Sequence, residues 1–364
     1  MKRNVLLTPG PATTTERVKS SQVVPDICPR EEEFVNIINY IAQNLIKIAG
    51  GDENYSCIFI GGSGTAGMDA TLNSVVNGKV LIINNGTYGK RFTDIANAYS
   101  IKYKELFFDW DEELSLEKIE EELKKDNEIN CIAMVHHETT TGILNPIEEV
   151  GALAKIRGCT FIVDAISSFA GLPLDIKKSN IDFMISTSNK CIQGMPGVCF
   201  IICKRSELEK TKNAPRRSFY MNLYSEYEFF NKNRQTRFTP PVQTLYALKE
   251  AIDEFLGEGA ENRYNRYKEN SKLLVEGMNH LGFKKIYNNV KESELLTTFF
   301  EPEDKNYSFQ KMHDSLYKRG FTIYPGKIRG KTFRLANIGA INTEDIKNFL
   351  NAMKNVLIKM NIKL

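Results

Sequence analysis

Cys131-Ile132-Ala133-Met134-Val135, Thr160-Phe161-Ile162-Val163-Asp164 and Phe183-Met184-Ile185-Ser186 are three short, nearly all-apolar runs, and an amphipathic stretch, Pro146–Arg157, lies between the first two. Short β-branched runs alternating with amphipathic stretches read as a largely parallel sheet covered by helices. The same texture continues outward. Cys57–Ile60, Lys79–Asn84 and Ile101–Phe107 come before these runs and Val198–Cys203 after them, with helical patterns at Thr65–Val76, Gly89–Tyr99 and Leu116–Lys125. Seven strand-like runs predict an α/β domain built on a mostly parallel seven-stranded sheet.

Past Phe238 the pattern changes. Pro240-Pro241 opens a helix through about Phe255, and a second helical pattern rich in Tyr, Arg and Lys covers Asn262–His280. A strand at Leu295–Phe300, a helix at Ser308–Lys318, strands at Phe321–Tyr324 and Thr332–Leu335, and a closing helix from Asn342 complete a smaller α+β unit. A chain of 364 residues has room for both units. The expected division is an arm over 1–17, a large domain over 18–257 and a small one over 258–364.

Composition narrows the function classes. With 42% hydrophobic and 26% charged residues the chain is ordinary globular material, without a disordered tract. A formal charge of +3, spread along helices, gives no basic block for nucleic acid. No run approaches the ~20 apolar residues that span a bilayer, and Met1–Thr8 lacks an apolar signal core, so a cytoplasmic protein is expected. The seven cysteines form no C-x-x-C pair and sit mostly in strand-like runs; reduced, buried thiols are expected, and no metal site.

Three features could carry chemistry. Gly61-Gly62-Ser63-Gly64-Thr65 follows a strand and opens a helix, so its N–H groups and hydroxyls form a phosphate cradle. Gly62-x-Gly64-x-x-Gly67 also fits a dinucleotide fingerprint, but the next strand ends in Asn84-Asn85-Gly86 where that fold wants an acid for the ribose. Asp164 ends an apolar strand; it is either a cap or turn former, or a carboxylate awaiting a cation such as a protonated pyridine nitrogen. Lys190 ends another, in Ser186-Thr187-Ser188-Asn189-Lys190, before the turn Gly194-x-Pro196-Gly197. Phosphate loop, strand-end Asp and strand-end Lys, in that order on one sheet edge, make the arrangement that pyridoxal 5'-phosphate needs. His136 and His137 read as packing or hydrogen-bonded scaffold.

On longer strings the chain resembles the class V pyridoxal-phosphate-dependent aminotransferases, over nearly its whole length. Within them it is most similar to those acting on 2-aminoethylphosphonate and pyruvate. The matching segments include Leu7-Thr8-Pro9-Gly10-Pro11, Cys28-x-Arg30-Glu31-x-Glu33-Phe34, Asn85-Gly86-x-Tyr88-Gly89-x-Arg91 and His137-Glu138-Thr139-Thr140-Thr141-Gly142. Val163-Asp164-Ala165-x-Ser167-Ser168-Phe169, Ser188-Asn189-Lys190-Cys191-Ile192-Gln193-Gly194, Arg237-Phe238-Thr239-Pro240-Pro241 and Phe333-Arg334-x-x-Asn337-Ile338-Gly339 extend the match.

The resemblance implies a fold type I transferase, homodimeric with shared sites. Lys190 would carry the cofactor as a Schiff base and Asp164 would keep its ring nitrogen protonated. Ser63, Gly64 and Thr65 would bind its phosphate, joined by Asn189 or Ser188 and, across the dimer, by Thr239. Tyr88 would stack on the ring and Thr139 lie near its phenolic oxygen. Arg334 would grip the substrate anion, a task suited to a guanidinium fork; Arg30 and Arg91 are further candidates for anion contacts. The implied reaction moves an amino group from 2-aminoethylphosphonate to pyruvate, giving phosphonoacetaldehyde and L-alanine, in either direction. Two departures, Ala66-Gly67-Met68-Asp69 after the phosphate loop and Leu335-Ala336 after Arg334, bear on the substrate. An alanine–glyoxylate or serine–pyruvate aminotransferase is the alternative on the same fold, and a nicotinamide dehydrogenase the alternative from another class.

Overall fold

The computed structural model describes residues 4–286, 291–328 and 330–362. Its large sheet holds β1 (Tyr55–Gly61), β2 (Lys79–Asn84), β3 (Lys102–Phe107), β4 (Ile129–Val135), β5 (Thr160–Asp164), β6 (Phe183–Thr187) and β7 (Val198–Lys204). The order across the sheet is β1-β7-β6-β5-β4-β2-β3. All pairings are parallel except those of β7, which runs antiparallel to both its neighbours. The link from β6 to β7 is a turn with no helix of its own, too short for the crossover a parallel partner requires. That turn carries Lys190.

Around the sheet lie α1 (Glu32–Ile48), α2 (Gly64–Val75), α3 (Thr87–Ala98), α4 (Leu116–Lys125), α5 (Ile147–Arg157), α6 (Leu223–Asn233) and α7 (Val242–Glu258). Successive strand side chains alternate between faces. On one face Leu81, Ile83, Ile132, Met134, Phe161 and Val163 pack with Phe34, Ile38 and Ile41 of α1 and Leu245, Leu248 and Ile252 of α7. On the other, Val80, Ile82, Ala133, Ile162 and Ile185 pack with Met68 and Leu72 of α2 and Phe92 of α3. Both faces are dry, so these strands read as continuous apolar runs.

The chain continues through α8 (Ala260–His280), β8 (Leu296–Phe300), α9 (Phe309–Tyr317), β9 (Tyr324–Pro325), β10 (Thr332–Ala336) and α10 (Thr343–Lys359). β8, β10 and β9 form a three-stranded antiparallel sheet in that order. Leu274, Met278, Phe299, Phe333, Met353 and Val356 fill a separate core beneath it.

The strand expected over Phe321–Tyr324 divides in two. Phe321–Thr322 pairs in parallel with Val5–Leu6, while Tyr324–Pro325 pairs with β10. The partner changes at buried Ile323 because the N-terminal arm, expected over 1–17, lies along this unit; its residues 1–3 are outside the described residues. Four helices were not foreseen, the short Glu16–Ser20 and Arg205–Lys210 and the longer α1 and α6, although Phe34, Ile38, Ile41 and Leu45 on α1 have helical spacing and are all buried. Five of the seven cysteines are buried, Cys57 is half-buried and Cys28 exposed.

Candidate active site

Asp164 closes β5 in register with Val135 and Ile185, so its carboxylate projects at the carboxyl edge of the sheet. It is 3% exposed and accepts the backbone N–H of Ile166 at 2.8 Å. Burial drives its pKa up to about 7; the Ile166 N–H, Arg91 and Lys190 pull the other way, and Glu138 adds to the rise. A carboxylate so poised is stabilised by any cation brought against it.

Lys190 follows β6 on the same edge. Its Nζ donates to the carbonyl of Pro9, and Ala12 N–H donates to Asn189 O at 2.9 Å, so the N-terminal arm lies across the lysine. Gly10 has φ +141°, and a Cβ there would overlap the lysine side chain. Burial lowers the lysine's pKa, with Arg334 pushing in the same direction and Tyr88, Cys191 and Asp164 opposing. Beneath it the turn is clamped: Gln193, at φ +67°, donates its N–H to Lys190 O (2.8 Å) and its side-chain amide to Tyr267 Oη (2.6 Å). Buried Arg263 donates to Cys191 O at 3.0 Å and pairs with Glu258 at 2.7 Å.

Ser63 stands at the N-cap of α2 without making a side-chain cap bond, and its side chain is exposed. The first-turn N–H groups of Gly64 and Thr65 have no partner within the helix, the ordinary state of a helix start. Thr65 Oγ1 accepts from Arg91 Nη1 at 2.9 Å. A Cβ on Gly64 would lie 2.6 Å from Ile166, and one on Gly67 2.8 Å from Ile185. Close helix–sheet packing therefore accounts for the glycine spacing that resembled a dinucleotide fingerprint.

Tyr88 is the centre of the remaining groups. Arg91 lies 4.7 Å and Lys327 4.9 Å from its ring centroid. Burial raises its phenol pKa, but Lys190, Lys327, the Thr139 hydroxyl and Arg91 outweigh that and leave it lowered. Thr139 is buried, and its carbonyl accepts from Arg334 Nη1 at 2.8 Å, while Arg334 Nε donates to Pro325 O at 3.1 Å. Arg334 is 3% exposed; burial lowers its pKa, and among the described residues it forms no ion pair.

Glu138 is the residue that sequence reasoning missed as a participant. Wholly buried, its carboxylate accepts the N–H groups of Tyr88 and Gly89 (3.1 Å each) and of Thr140 (2.9 Å). Burial raises its pKa and those donors lower it. It ties the first turn of α3 to the hairpin His137–Glu138/Ile143–Leu144, which carries Thr139. The only available signal was its place in the Glu-Thr-Thr-Thr-Gly string.

Other expected residues lie apart from this cluster or are already occupied. The Ser188 hydroxyl donates to the backbone of the following turn, at Met195 and Val198, and Asn189 Oδ1 accepts from Thr187 at 3.0 Å. Thr239 is exposed and shares a cleft with Gly61, Tyr220 and Pro241 of its own chain. Arg30 is exposed, with a 3.5 Å contact to Gln235. His136 bonds Ser168 (2.9 Å) and His137 bonds Ser293 (2.7 Å); burial lowers their pKa values to about 3 and about 4. Both are neutral scaffold.

Comparison with known proteins places this geometry. Residues 17–328 match the sequence model of the family described as aminotransferase class-V. A 2-aminoethylphosphonate–pyruvate transaminase of Phocaeicola vulgatus is 42% identical over 98% of this chain and 99% of its own length, and one of Bacillus cereus (strain ZK / E33L) is 42% identical over 96% of each. Among solved structures, ureidoglycine–glyoxylate aminotransferase from Bacillus subtilis superposes with a TM-score of 0.91 at 26% identity, covering 100% of this chain and 95% of that one. Alanine–glyoxylate aminotransferase from Nostoc sp. does so with a TM-score of 0.91 at 25% identity, covering 98% and 96%. The expected fold type I architecture is the one observed, and by both sequence and structure the chain belongs to the class V aminotransferases.

Proposed function

We propose that this protein is a pyridoxal-phosphate-dependent aminotransferase that moves an amino group between 2-aminoethylphosphonate and pyruvate, giving phosphonoacetaldehyde and L-alanine. The observation that carries the reading is the joint placement of Asp164, Tyr88 and a buried Arg334, without an ion pair among the described residues, around Lys190. The names of the full-length relatives point to the same substrates.

The residues present fit the cofactor. A buried carboxylate with its pKa raised to about 7 is a natural partner for a protonated ring nitrogen, and the uncapped first turn of α2 suits a phosphate. Ser63, Gly64 and Thr65 would hold that phosphate, with Arg91 beside them. Tyr88 and Thr139 would flank the ring, and Lys190 would be the covalent anchor. When bound, the cofactor supplies an electron sink for the pair left when the substrate carbon loses its proton.

The chain supplies the remainder. Lys190, its pKa lowered by burial, has a share of neutral amine that can take the proton at Nζ and return it, so it acts as acid and base. Asp164 stabilises positive charge at the ring edge. Arg334, oriented by Thr139 O and Pro325 O, presents its remaining N–H donors to the substrate anion. We further infer a cytoplasmic homodimer with Thr239 donated between subunits; no helix among the described residues is long and apolar enough to cross a membrane.

The test is spectroscopic. Protein loaded with pyridoxal phosphate should show the yellow band, and 2-aminoethylphosphonate without a keto acid should bleach it to the near-ultraviolet pyridoxamine form more readily than serine or glycine. A band bleached only by other amino acids would remove the substrate assignment and leave Lys190 in place; no band would remove the cofactor.

A further inference from the structure

We propose that Lys327 is a specificity-determining residue of this site, acting with Arg334 as a two-cation receptor that favours a doubly charged phosphonate over a singly charged carboxylate. The assignment rests on the function proposed above and adds a residue that neither the sequence motifs nor the comparisons single out.

Geometry places the lysine. β9 and β10 form a hairpin in which Tyr324 pairs with Arg334 and Pro325 with Phe333. Gly326 N–H donates to Thr332 O at 2.7 Å, and a Cβ on Gly326 would overlap the Thr332 side chain, so only glycine lets the two arms close here. The next residue is Lys327, whose Nζ stands 4.9 Å from the Tyr88 ring centroid. The same hairpin seats Arg334, through its Nε–Pro325 O bond, and Arg334 reaches the Tyr88 side of the site through Thr139 O. One hairpin thus carries both cations, Lys327 over the Tyr88 ring and Arg334 anchored at Thr139 O, close enough to feel the Tyr88 phenol.

Charge accounting separates their role from that of the other cations. Lys190 and Asp164 serve the reacting end, and Arg91 is bonded to Thr65 in the phosphate loop. Of the described cations around Tyr88 and Thr139, Lys327 and Arg334 remain, and among the described residues neither forms an ion pair with a carboxylate. A phosphonate past its second ionisation carries two negative charges and three acceptor oxygens. Two cations match it, one planar and bidentate and one a mobile point charge. A carboxylate needs the guanidinium alone. Lys327 is exposed, so it can swing onto the dianion and away again without leaving a buried charge behind.

The experiment compares half-reactions of the loaded enzyme in Lys327→Gln and Lys327→Arg variants, with 2-aminoethylphosphonate and with L-alanine. Loss of one charge-assisted contact should lower kcat/KM for aminoethylphosphonate about 10- to 100-fold in Lys327→Gln. The fall for L-alanine should be several-fold smaller, and Lys327→Arg should restore most of the preference. The rise of kcat/KM with the second phosphonate ionisation, at a pH near the value of about 6 for phosphate monoesters, should flatten in Lys327→Gln. Equal falls for both substrates, or no fall for either, would overturn the assignment while leaving the aminotransferase intact. A wild-type enzyme that ignores aminoethylphosphonate would instead remove the reading on which the assignment rests.

Discussion

The α-carbon of Gly10 lies so close to the Lys190 side chain that a methyl group there would overlap Nζ, Cε and Cδ together. The contact joins residues 180 positions apart and leaves a substituted arm nowhere to go, since Ala12 is bonded to Asn189 just beyond. At φ +141° a side chain would also strain the backbone. Gly10→Ala should therefore lower cofactor loading and kcat by about tenfold or more, since a displacement of ~1 Å at the reacting group costs about 100-fold. Absorbance of bound cofactor per chain measures the first effect, and wild-type loading in the variant would show that the arm yields freely.

Glu138 should matter for stability as much as for the site. Glu138→Ala leaves three buried N–H groups unsatisfied, those of Tyr88, Gly89 and Thr140, and should destabilise the fold by about 3 kcal/mol or more, with Glu138→Gln intermediate. Urea unfolding monitored by circular dichroism measures this. An alanine variant as stable as wild type would mean that water takes over the carboxylate's bonds.

Asp164 imposes a pH dependence on the cofactor-free protein. Its folded pKa, about 7, lies above its ordinary value of 3.8, so the folded state holds a proton that the unfolded state releases. Its favourable contribution is present below pH 3.8 and is lost as pH rises through about 7, on the order of 4 kcal/mol at 1.36 kcal/mol per unit. His136 and His137 act oppositely, with folded values of about 3 and about 4 against 6.5; their contribution is present above 6.5 and lost as pH falls. The Asp164 component is isolated by difference: Asp164→Asn should gain stability relative to wild type between pH 4 and pH 8. A difference that stays constant over that range would place the carboxylate in contact with water or a counter-ion.

Arg334→Lys keeps the charge but loses the planar fork that bonds Thr139 O and Pro325 O while facing the site. KM for both the amino donor and the keto acid should rise about 10- to 100-fold, with a smaller change in kcat. Unchanged KM values for both would take the residue out of the substrate site.

How much of this was legible in the chain depends on the range of the interaction. Asp164 and Lys190 each follow a strand-like run, so local pattern and the rule that ligands bind at strand carboxyl ends sufficed to single them out as candidates at the sheet edge where the structure has them. Glu138 sits in a stretch without periodicity, and its partners lie about fifty residues away, at Tyr88 and Gly89. The arm's parallel pairing with Phe321–Thr322 joins the two ends of the chain and leaves no local trace, which is why the strand over Phe321–Tyr324 read as one. Arg334 was reached through family resemblance alone. Its local sequence, Thr332–Ala336, reports only a buried strand, and nothing in it says that the guanidinium has no counter-ion among the described residues.

The clamp under the lysine turn has a kinetic counterpart. Arg263 and Tyr267 extend from α8 to Cys191 O and to the Gln193 side chain, so the segment carrying the Lys190 amine is fastened to a helix whose own core lies in the other unit. A loop at a sheet edge would ordinarily open by local fluctuation, and its amides would exchange with solvent long before those of the strands. Here opening would have to strip a buried arginine of its bond to Cys191 O and expose a fully buried tyrosine. The amide of Gln193 should accordingly exchange with deuterium as slowly as those of the central strands. Lys190 then stands on one of the last parts of the molecule to open, and its freedom of movement lies in its own side-chain torsions while the backbone beneath it stays still.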